Sequence, residues 1–143
     1  MLNDIIDAIS IKLDQVFGDG CRIYSEDVKQ GLKEPCFFIA VLNPSQSQII
    51  GSRFSREYPV DIHYFPKAKE NNNEMMTVTD KMMSEMDVVT MINGDNIRGN
   101  DIRFEVVDGV LHFFVKYKVI VLITDTPEDS METLTVKTNT WEG

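Results

Sequence analysis

Residues 101–124 read DIRFEVVDGVLHFFVKYKVIVLIT, and the rest of the chain must pack around them. Asp108-Gly109 separates an alternating apolar and polar run from a longer run of β-branched and aromatic residues. An Asp-Gly pair between two such runs predicts a two-residue β-hairpin, because both central residues of that turn need positive φ. In the second arm the odd-numbered positions share one face, and Lys116 and Lys118 make the other face wetter. We therefore predict that residues 110–123 form the central strand of an antiparallel sheet.

The length of 143 residues fits one domain with a core of its own. From Asp125 onward the composition changes, because acidic residues and threonines dominate and the bulky apolar residues are spread out. We predict a single α+β domain over residues 1–125. Residues 126–143 are predicted to be an acidic, threonine-rich C-terminal tail that is flexible or acts as an assembly arm.

Charge and cysteine usage exclude several classes of protein. The formal net charge of −9 argues against nucleic acid as a bound partner, since phosphate contacts need clustered Lys and Arg. Cys21 and Cys36 lack CxxC spacing and are read as reduced thiols. No secretory leader is recognised, and no apolar run approaches the ~18 residues of a membrane span. We expect a protein made in the cytoplasm that stays there unless a larger assembly carries it out.

Two segments have helical periodicity. Residues 2–17 place apolar side chains on one stripe, and Gly18 and Gly20 stop this first helix. A polar linker over 67–73 precedes a second, methionine-rich helix. Its broad apolar face consists of Met75, Met76, Thr79, Met82, Met83, Met86 and Val89. Gly94 lies just past its expected end, and residues 93–101 are predicted to be a loop that feeds the hairpin.

The remaining apolar segments indicate strands. Residues 22–24 and 36–42 are a short and a continuous apolar run, and the second fits a strand covered on both faces. Residues 47–56 and 60–64 are predicted to pair as a hairpin that reaches beyond the core, with Pro59 at a strand start or edge. The predicted fold class is α+β: a mixed, mainly antiparallel β-sheet with two amphipathic helices packed on it and a protruding β-hairpin.

No catalytic motif is present. The sequence lacks GxGxxG, GxxxxGK[ST], GxSxG and HExxH, which removes the common nucleotide, acyl-transfer and zinc-hydrolase interpretations. His63 and His112 each fall on a predicted strand, and no converging ligand spacing accompanies them, so ordinary sheet-surface histidines explain them better than a metal site. A nucleophile dyad of either histidine with a cysteine has no local support. We predict no enzyme activity, no cofactor and no metal.

Three strings, in this order, resemble a family of small phage and prophage tail terminators. They are GLKEPCFFI at 31–39, YPVDIHYFP at 58–66 and DGVLHF at 108–113, and with the opening helix the resemblance covers roughly residues 1–121. The resemblance implies an α+β subunit that assembles as a six-membered ring in the virion tail, built in the host cytoplasm. Such a ring caps the tail tube, ends its polymerisation and offers its other face to the head-completion protein. DNA would pass through without specific binding, and the family has no catalytic residues to carry over.

The hairpin supplies the candidate contacts between copies. Two arginines on a protruding hairpin could form ion pairs with an acidic neighbour, although solvated loop charges are the simpler explanation. The candidate oligomer contacts are Arg53, Phe54, Arg56, Tyr58, Asp61 and His63. The acidic tail is a further candidate, and the methionine-rich helix is expected to be mostly internal.

Two alternatives remain open. In the same structural class, the chain could be a head–tail connector or a tail-tube protein, and spontaneous filaments would favour the latter. In another class, it could be a small cytosolic enzyme or ligand-binding domain whose site is assembled from distant residues. The polar candidates for that site are His63, Asp61, His112 and Glu105. A deep pocket containing two of them with strongly shifted pKa values would support it.

Overall fold

The computed structural model describes residues 1–25, 31–67, 72–124 and 134–137. Within these residues the chain forms two α-helices and eight β-strands, with one short 3-10 turn over Gly18–Gly20. The helices are α1 (Leu2–Phe17) and α2 (Asn72–Glu85). The strands are β1 (Arg22–Tyr24), β2 (Cys36–Val41), β3 (Ser45–Ile50), β4 (Arg53–Phe65), β5 (Val88–Thr90), β6 (Asn96–Val107), β7 (Val110–Ile123) and β8 (Leu134–Lys137).

All eight strands belong to one mixed sheet. Its order is β1-β2-β4-β7-β6-β5, with β3 beside β4 and β8 beside β7. The β1–β2 pair is parallel, and every other pair is antiparallel. The predicted α+β class with a mixed, mainly antiparallel sheet and two helices is confirmed.

β7 is the centre of the sheet, as predicted. The turn before it has Asp108 at φ 53° and Gly109 at φ 77°, which is the positive-φ pair that a two-residue hairpin needs. Its odd-numbered side chains from 113 to 121 are at most 2% exposed, whereas Lys118 on the other face is exposed. The alternation of period two therefore assigns each residue of β7 to the core face or to the outer face.

Two long strands each pair with two neighbours in succession. β4 and β7 are paired from Arg53↔Leu122 to Tyr64↔Leu111. One end of β4 pairs with β2 and the other with β3, while β7 pairs with β6 and then with β8. We call the second half the extension: β3, residues 53–57 of β4, residues 118–123 of β7, and β8. A hairpin of β3 and β4 is present in it, but its turn is at Gly51-Ser52. The predicted pairing of residues 47–56 with 60–64 is therefore wrong, because the first predicted strand folds back on itself.

Pro59 lies inside β4, not at its start, so residues 53–56 of the first predicted strand and residues 60–64 of the second form one strand. The carbonyl of Pro59 accepts a hydrogen bond from the backbone N–H of Leu42 at 2.9 Å. In an antiparallel strand the N–H and C=O of a residue face the same side. The missing N–H of Pro59 therefore faces the junction between the β3 pairing, which ends at Glu57, and the β2 pairing, which begins at Val60.

The core lies between the helices and the inner face of the sheet. α1 buries Ile5, Ile9 and Leu13 completely and ends where Gly18 adopts φ 75°, as its sequence predicts. α2 buries Met82 completely but leaves Met76 65% exposed, so its methionine face is wider than the surface that it covers. None of the helices in the described ranges is both long and apolar enough to cross a membrane.

The region after α2 differs from its prediction. The helix ends at Glu85, and Val88–Thr90 form β5 rather than a last helical turn. The predicted loop over 93–101 is wrong from Asn96 onward, because β6 begins there and pairs with β5 and β7. Gly99 makes this possible, since its backbone N–H donates to the carbonyl of Asp87 at 2.6 Å in a space too narrow for a side chain.

Part of the predicted tail is a strand. Leu134–Lys137 pair with β7 at Ile120–Ile123 and form one edge of the extension. The other residues of the tail, 126–133 and 138–143, lie outside the described residues, so its predicted role as a flexible segment or assembly arm stays a prediction.

Candidate functional site

The outer face of β4 and β7 carries a cluster of one carboxylate and two imidazoles. His63 and His112 are directly paired across the two strands, and Asp61 is paired with Phe114 one step along. Side chains two residues apart in a strand point to the same face, so Asp61 and His63 lie side by side. The two rings are 4.3 Å apart between centroids. The register of two antiparallel strands thus brings together residues 51 positions apart in sequence.

Both histidines bond to the same carboxylate oxygen. His63 Nε2 lies 2.9 Å and His112 Nδ1 lies 3.0 Å from Asp61 Oδ2. Asp61 Oδ1 is a further 3.3 Å partner of His112 Nδ1. The carboxylate can only accept, so each ring nitrogen donates its N–H. The side chains of His63 and His112 are 22% and 20% exposed, and that of Asp61 is 11% exposed, so solvent reaches the cluster from one side.

Two opposing effects act on the pKa of Asp61. Burial, the larger single effect, raises the pKa because it disfavours the charged carboxylate. The hydrogen bonds from His63 and His112 and their attraction for the negative charge lower it, and together they outweigh burial. The pKa of Asp61 is therefore below its ordinary value, and the carboxylate is ionised at neutral pH.

Aromatic rings surround the cluster on the sheet. Phe38 and Phe65 lie 5.6 and 6.2 Å from the His63 ring, and Phe114 stacks on His112 at 6.0 Å. The Arg103 guanidinium lies 4.0 Å over the Phe114 ring. A cleft of about 480 Å³ opens beside Phe114. Both imidazoles therefore lie among aromatic rings on the outer face of the sheet.

Other side chains of the outer face come near the cluster in register. Glu105 is paired with His112 across β6 and β7. Of the four polar residues that the sequence offered for a site, three therefore contact one another, and the fourth, Glu105, lies on the neighbouring strand opposite His112. Lys116 Nζ is 3.5 Å from Asp101 Oδ2, and both groups are largely exposed. The face therefore carries both signs of charge around the carboxylate and imidazoles.

The two cysteines have the properties of resting thiols. Burial raises the pKa of Cys36 to about 11, with further contributions from Glu34 and Cys21. Burial also raises the pKa of Cys21, and Glu74 adds to that effect. An activated cysteine nucleophile has a lowered pKa, so both thiols are shifted in the opposite direction.

The six predicted contact residues have different environments within one copy of the chain. Arg53 is exposed, and Arg56 is half-buried, with its Nε donating to Gln46 Oε1 at 2.6 Å. Phe54 packs against the core, and Tyr58 is 6% exposed. The other two, Asp61 and His63, bond to each other in the cluster. Contact of these residues with a second copy stays a prediction.

The sequence offered one signal for the cluster. Asp61 and His63 alternate with apolar residues, which places both on the wetter face of a strand. The partner His112 could not be assigned, because no sequence feature fixes which residues of β4 and β7 face each other. The two histidines do lie on the sheet surface, as predicted, and the structure adds that both imidazoles share one carboxylate, for which the sequence showed no spacing.

A comparison with protein families supplies the remaining observation. A family model described as "Phage tail terminator protein" matches residues 4–129. The match covers most of the chain and extends past the end of β7. A search of curated proteins found none that matches.

Proposed function

The chain belongs to the phage tail terminator family, and from this premise we propose that copies of it close into a ring, of six by resemblance, that caps the tail tube. The family is a structural one, and its members are components of the virion tail. In our proposal the ring ends tube polymerisation on one side and provides the head-joining surface on the other. Its partners are other copies of this chain, the tail-tube protein and the head-completion protein, and assembly takes place in the host cytoplasm.

The extension is the observation that carries the ring proposal. Every residue of β3 is exposed, and among the residues that the structure describes β3 pairs with β4 alone. Its tip carries two large apolar side chains, Ile49 at 52% and Ile50 at 70% exposure. A strand edge with unpaired backbone groups beside exposed apolar residues favours pairing with another chain. Contact between this edge and a different surface of the next copy is heterologous, and such contacts close into rings when the rotation fits.

Charge complementarity supports the same surface. Arg53 is exposed in the extension, and Arg56 lies three residues further along the same strand. The whole chain carries a net charge of −9, so an arginine-bearing hairpin of one copy meets an acidic neighbour in most orientations. Phe54 and Tyr58 are committed to their own core, and we assign to them the role of anchoring the hairpin.

The acidic surface also fits passage of DNA. A ring around the tail channel must let DNA through without holding it, and like charge prevents the phosphate contacts that would retain it. Together with the family match, this charge favours a terminator over a protein that packages or reads nucleic acid.

Ring closure and capping can be tested with one matched pair of variants. Ile50→Asp alters the tip of the extension, whereas Ile92→Asp alters an equally exposed isoleucine in the turn between β5 and β6. Native mass measurement and electron microscopy of the full-length chain, alone and with tail tubes polymerised from the tube protein, report ring size and tube length. We expect wild type and Ile92→Asp to form rings and limit tube length, and Ile50→Asp to do neither.

Two results would contradict the proposal. A wild-type chain that stays monomeric and does not cap tubes is not a terminator ring. A wild-type chain that polymerises alone into long filaments is a tube protein, which is the alternative within the same class.

A further inference from the structure

We propose that Asp61, His63 and His112 form a binding site for a divalent first-row transition-metal ion, for which Zn²⁺ is the test ion. The inference rests on the side chains of one copy and does not depend on ring assembly.

Two of the three donor separations are already close to those that such an ion requires. His63 Nε2, His112 Nδ1 and the Asp61 carboxylate oxygen all lie within 4.8 Å of one another. In a tetrahedral zinc site the donors are about 2.0–2.2 Å from the metal, so neighbouring donors are about 3.3 Å apart. The two nitrogen–oxygen distances here, 2.9 and 3.0 Å, need to widen by only a few tenths of an ångström.

The ligand types select the class of ion. Two imidazoles and one carboxylate suit zinc, copper, nickel and ferrous iron, whereas Mg²⁺ and Ca²⁺ prefer sets made of oxygen donors. Three protein donors leave a fourth position for water, and the partial exposure of both histidines gives that position access to solvent.

The protons can rearrange without a change in the charge of the histidines. In the hydrogen-bonded state the N–H groups of His63 Nε2 and His112 Nδ1 point at Asp61. When a metal replaces these hydrogen bonds, each neutral imidazole loses the proton from the nitrogen that faced Asp61 to solvent and gains one from solvent on its opposite ring nitrogen. The lone pair of the deprotonated nitrogen then binds the metal. The ionised carboxylate of Asp61 supplies the negative charge.

The position of the site indicates its effect. β4 and β7 are the two strands that run from the core into the extension, and the cluster joins them where they lie over the core. A metal bound there connects both strands through side chains as well as through the backbone ladder. Because the ion would bind the folded state and not the unfolded chain, it would raise the melting temperature by an amount that grows with the logarithm of the ratio of free ion concentration to the dissociation constant.

The chain itself makes the test specific. His63 and His112 are the only two histidines of the 143 residues, so any histidine coordination in an untagged protein must involve this cluster. Full-length protein is stripped with a chelator and dialysed against Zn²⁺, and bound metal is measured by elemental analysis. We expect one Zn²⁺ per chain. His63→Gln and His112→Gln should each raise the dissociation constant at least about tenfold, since each removes one ligand.

Asp101→Asn is the matched control. It removes a carboxylate of the same outer face that pairs with Lys116 and leaves the cluster intact, so zinc affinity should be unchanged. Folding of each variant is checked by circular dichroism. If a histidine variant does not fold, the ring-nitrogen NMR signals of the wild-type protein test the site instead. The signals of both histidines must shift when one equivalent of Zn²⁺ is added.

Three results would overturn the proposed site. The first is a wild-type chain that does not bind Zn²⁺ in a 1:1 ratio. The second is Zn²⁺ binding that persists in folded His63→Gln/His112→Gln protein, which would be adventitious, and the third is histidine NMR signals that do not shift when Zn²⁺ is added.

Discussion

The hydroxyl of Tyr117 donates a hydrogen bond to the backbone carbonyl of Met86 at 2.7 Å, in the interior of the protein. Tyr117 is the middle of β7 and is fully buried, and Met86 is the first residue after α2. The bond therefore joins the central strand to the point at which the helix ends and the chain turns into β5. Burial raises the pKa of this phenol, so the hydroxyl keeps its proton and remains a donor.

Tyr117→Phe should destabilise the protein by about 1–3 kcal/mol, because the buried carbonyl of Met86 loses its partner and gains no water. Urea unfolding followed by circular dichroism measures the change. Tyr24→Phe is the control, since the Tyr24 hydroxyl accepts a long, 3.4 Å bond from the Lys33 N–H at the surface, and the effect of its removal should stay within about 0.5 kcal/mol. Equal losses of unfolding free energy for the two substitutions would mean that the interior hydrogen bond stabilises the protein no more than the surface one does.

Gly99→Ala should destabilise the protein by about 1–3 kcal/mol through overpacking. A Cβ at Gly99 would lie 2.4 Å from Val115 Cγ2 and 3.2 Å from Tyr117 Cε1, so the sheet must shift to admit it. Gly20→Ala is the matched control, because nothing lies within 4 Å of a Cβ there and its φ is not positive. Thermal unfolding of both variants checks this, and a Gly99→Ala melting temperature equal to that of Gly20→Ala would refute it.

The same glycine explains why the sequence misplaced this part of the fold. Met86 and Val89 continue the helical spacing of α2, and residues 93–101 have the Asn, Gly and Asp content of a loop. Both signals are local. β5 and β6 form because Ile97 and Val89 are buried against the core and because Gly99 lets the chain approach β7 closely. The hairpin at Asp108-Gly109 was predictable because its turn chemistry and flanking periodicity agree.

The candidate site shows a different limit of prediction from sequence. Each strand and each outward-facing side chain of the cluster could be predicted from alternation. The pairing of His63 with His112 depends on the register of β4 against β7, which is set by packing of both strands on the helices. A hairpin was predicted in this part of the chain, but its turn at Gly51-Ser52 was not. The continuity of β4 through Pro59 depends on the junction between two neighbouring strands.

The Asp61 carboxyl should titrate below the ordinary value of 3.8 in metal-free buffer. A carboxylate with a lowered pKa in the folded state stabilises the protein above the unfolded-state pKa, and that contribution is lost as the pH falls through the folded-state pKa. The stability advantage of wild type over Asp61→Asn should therefore be full above pH 3.8 and shrink below it. Carboxyl-carbon NMR, with Asp61→Asn identifying the signal, gives the midpoint directly, and a midpoint at or above 3.8 would contradict the hydrogen-bonded geometry.

Cys36 should react slowly with iodoacetamide in the native protein. Its side chain is fully buried and its pKa is raised to about 11 from 9.0, so at pH 8 its thiolate fraction is about 100-fold smaller than that of an unperturbed thiol. Cys21→Ser protein isolates the reaction of Cys36, and the same protein in denaturant gives the reference rate. Cys36→Ser protein reports Cys21, which is partly exposed and should react faster than Cys36. Native alkylation of Cys36 within a few fold of the denatured rate would show that this strand end opens readily.

Removal of β8 should expose a strand edge. A chain that ends at residue 124 lacks the segment that pairs with Ile120–Ile123, so the backbone groups of β7 in the extension lose their partners. An unpaired edge on a long, apolar strand promotes pairing between chains. We expect the 1–124 protein to melt at a lower temperature and to form larger, concentration-dependent species in sedimentation velocity. The 1–137 protein keeps β8 and removes only the last six residues of the tail, so it should behave as the full-length chain does. If the 1–124 and 1–137 proteins sediment and melt alike, β8 does not protect the edge of β7, and a role of the tail in stabilising the extension is excluded.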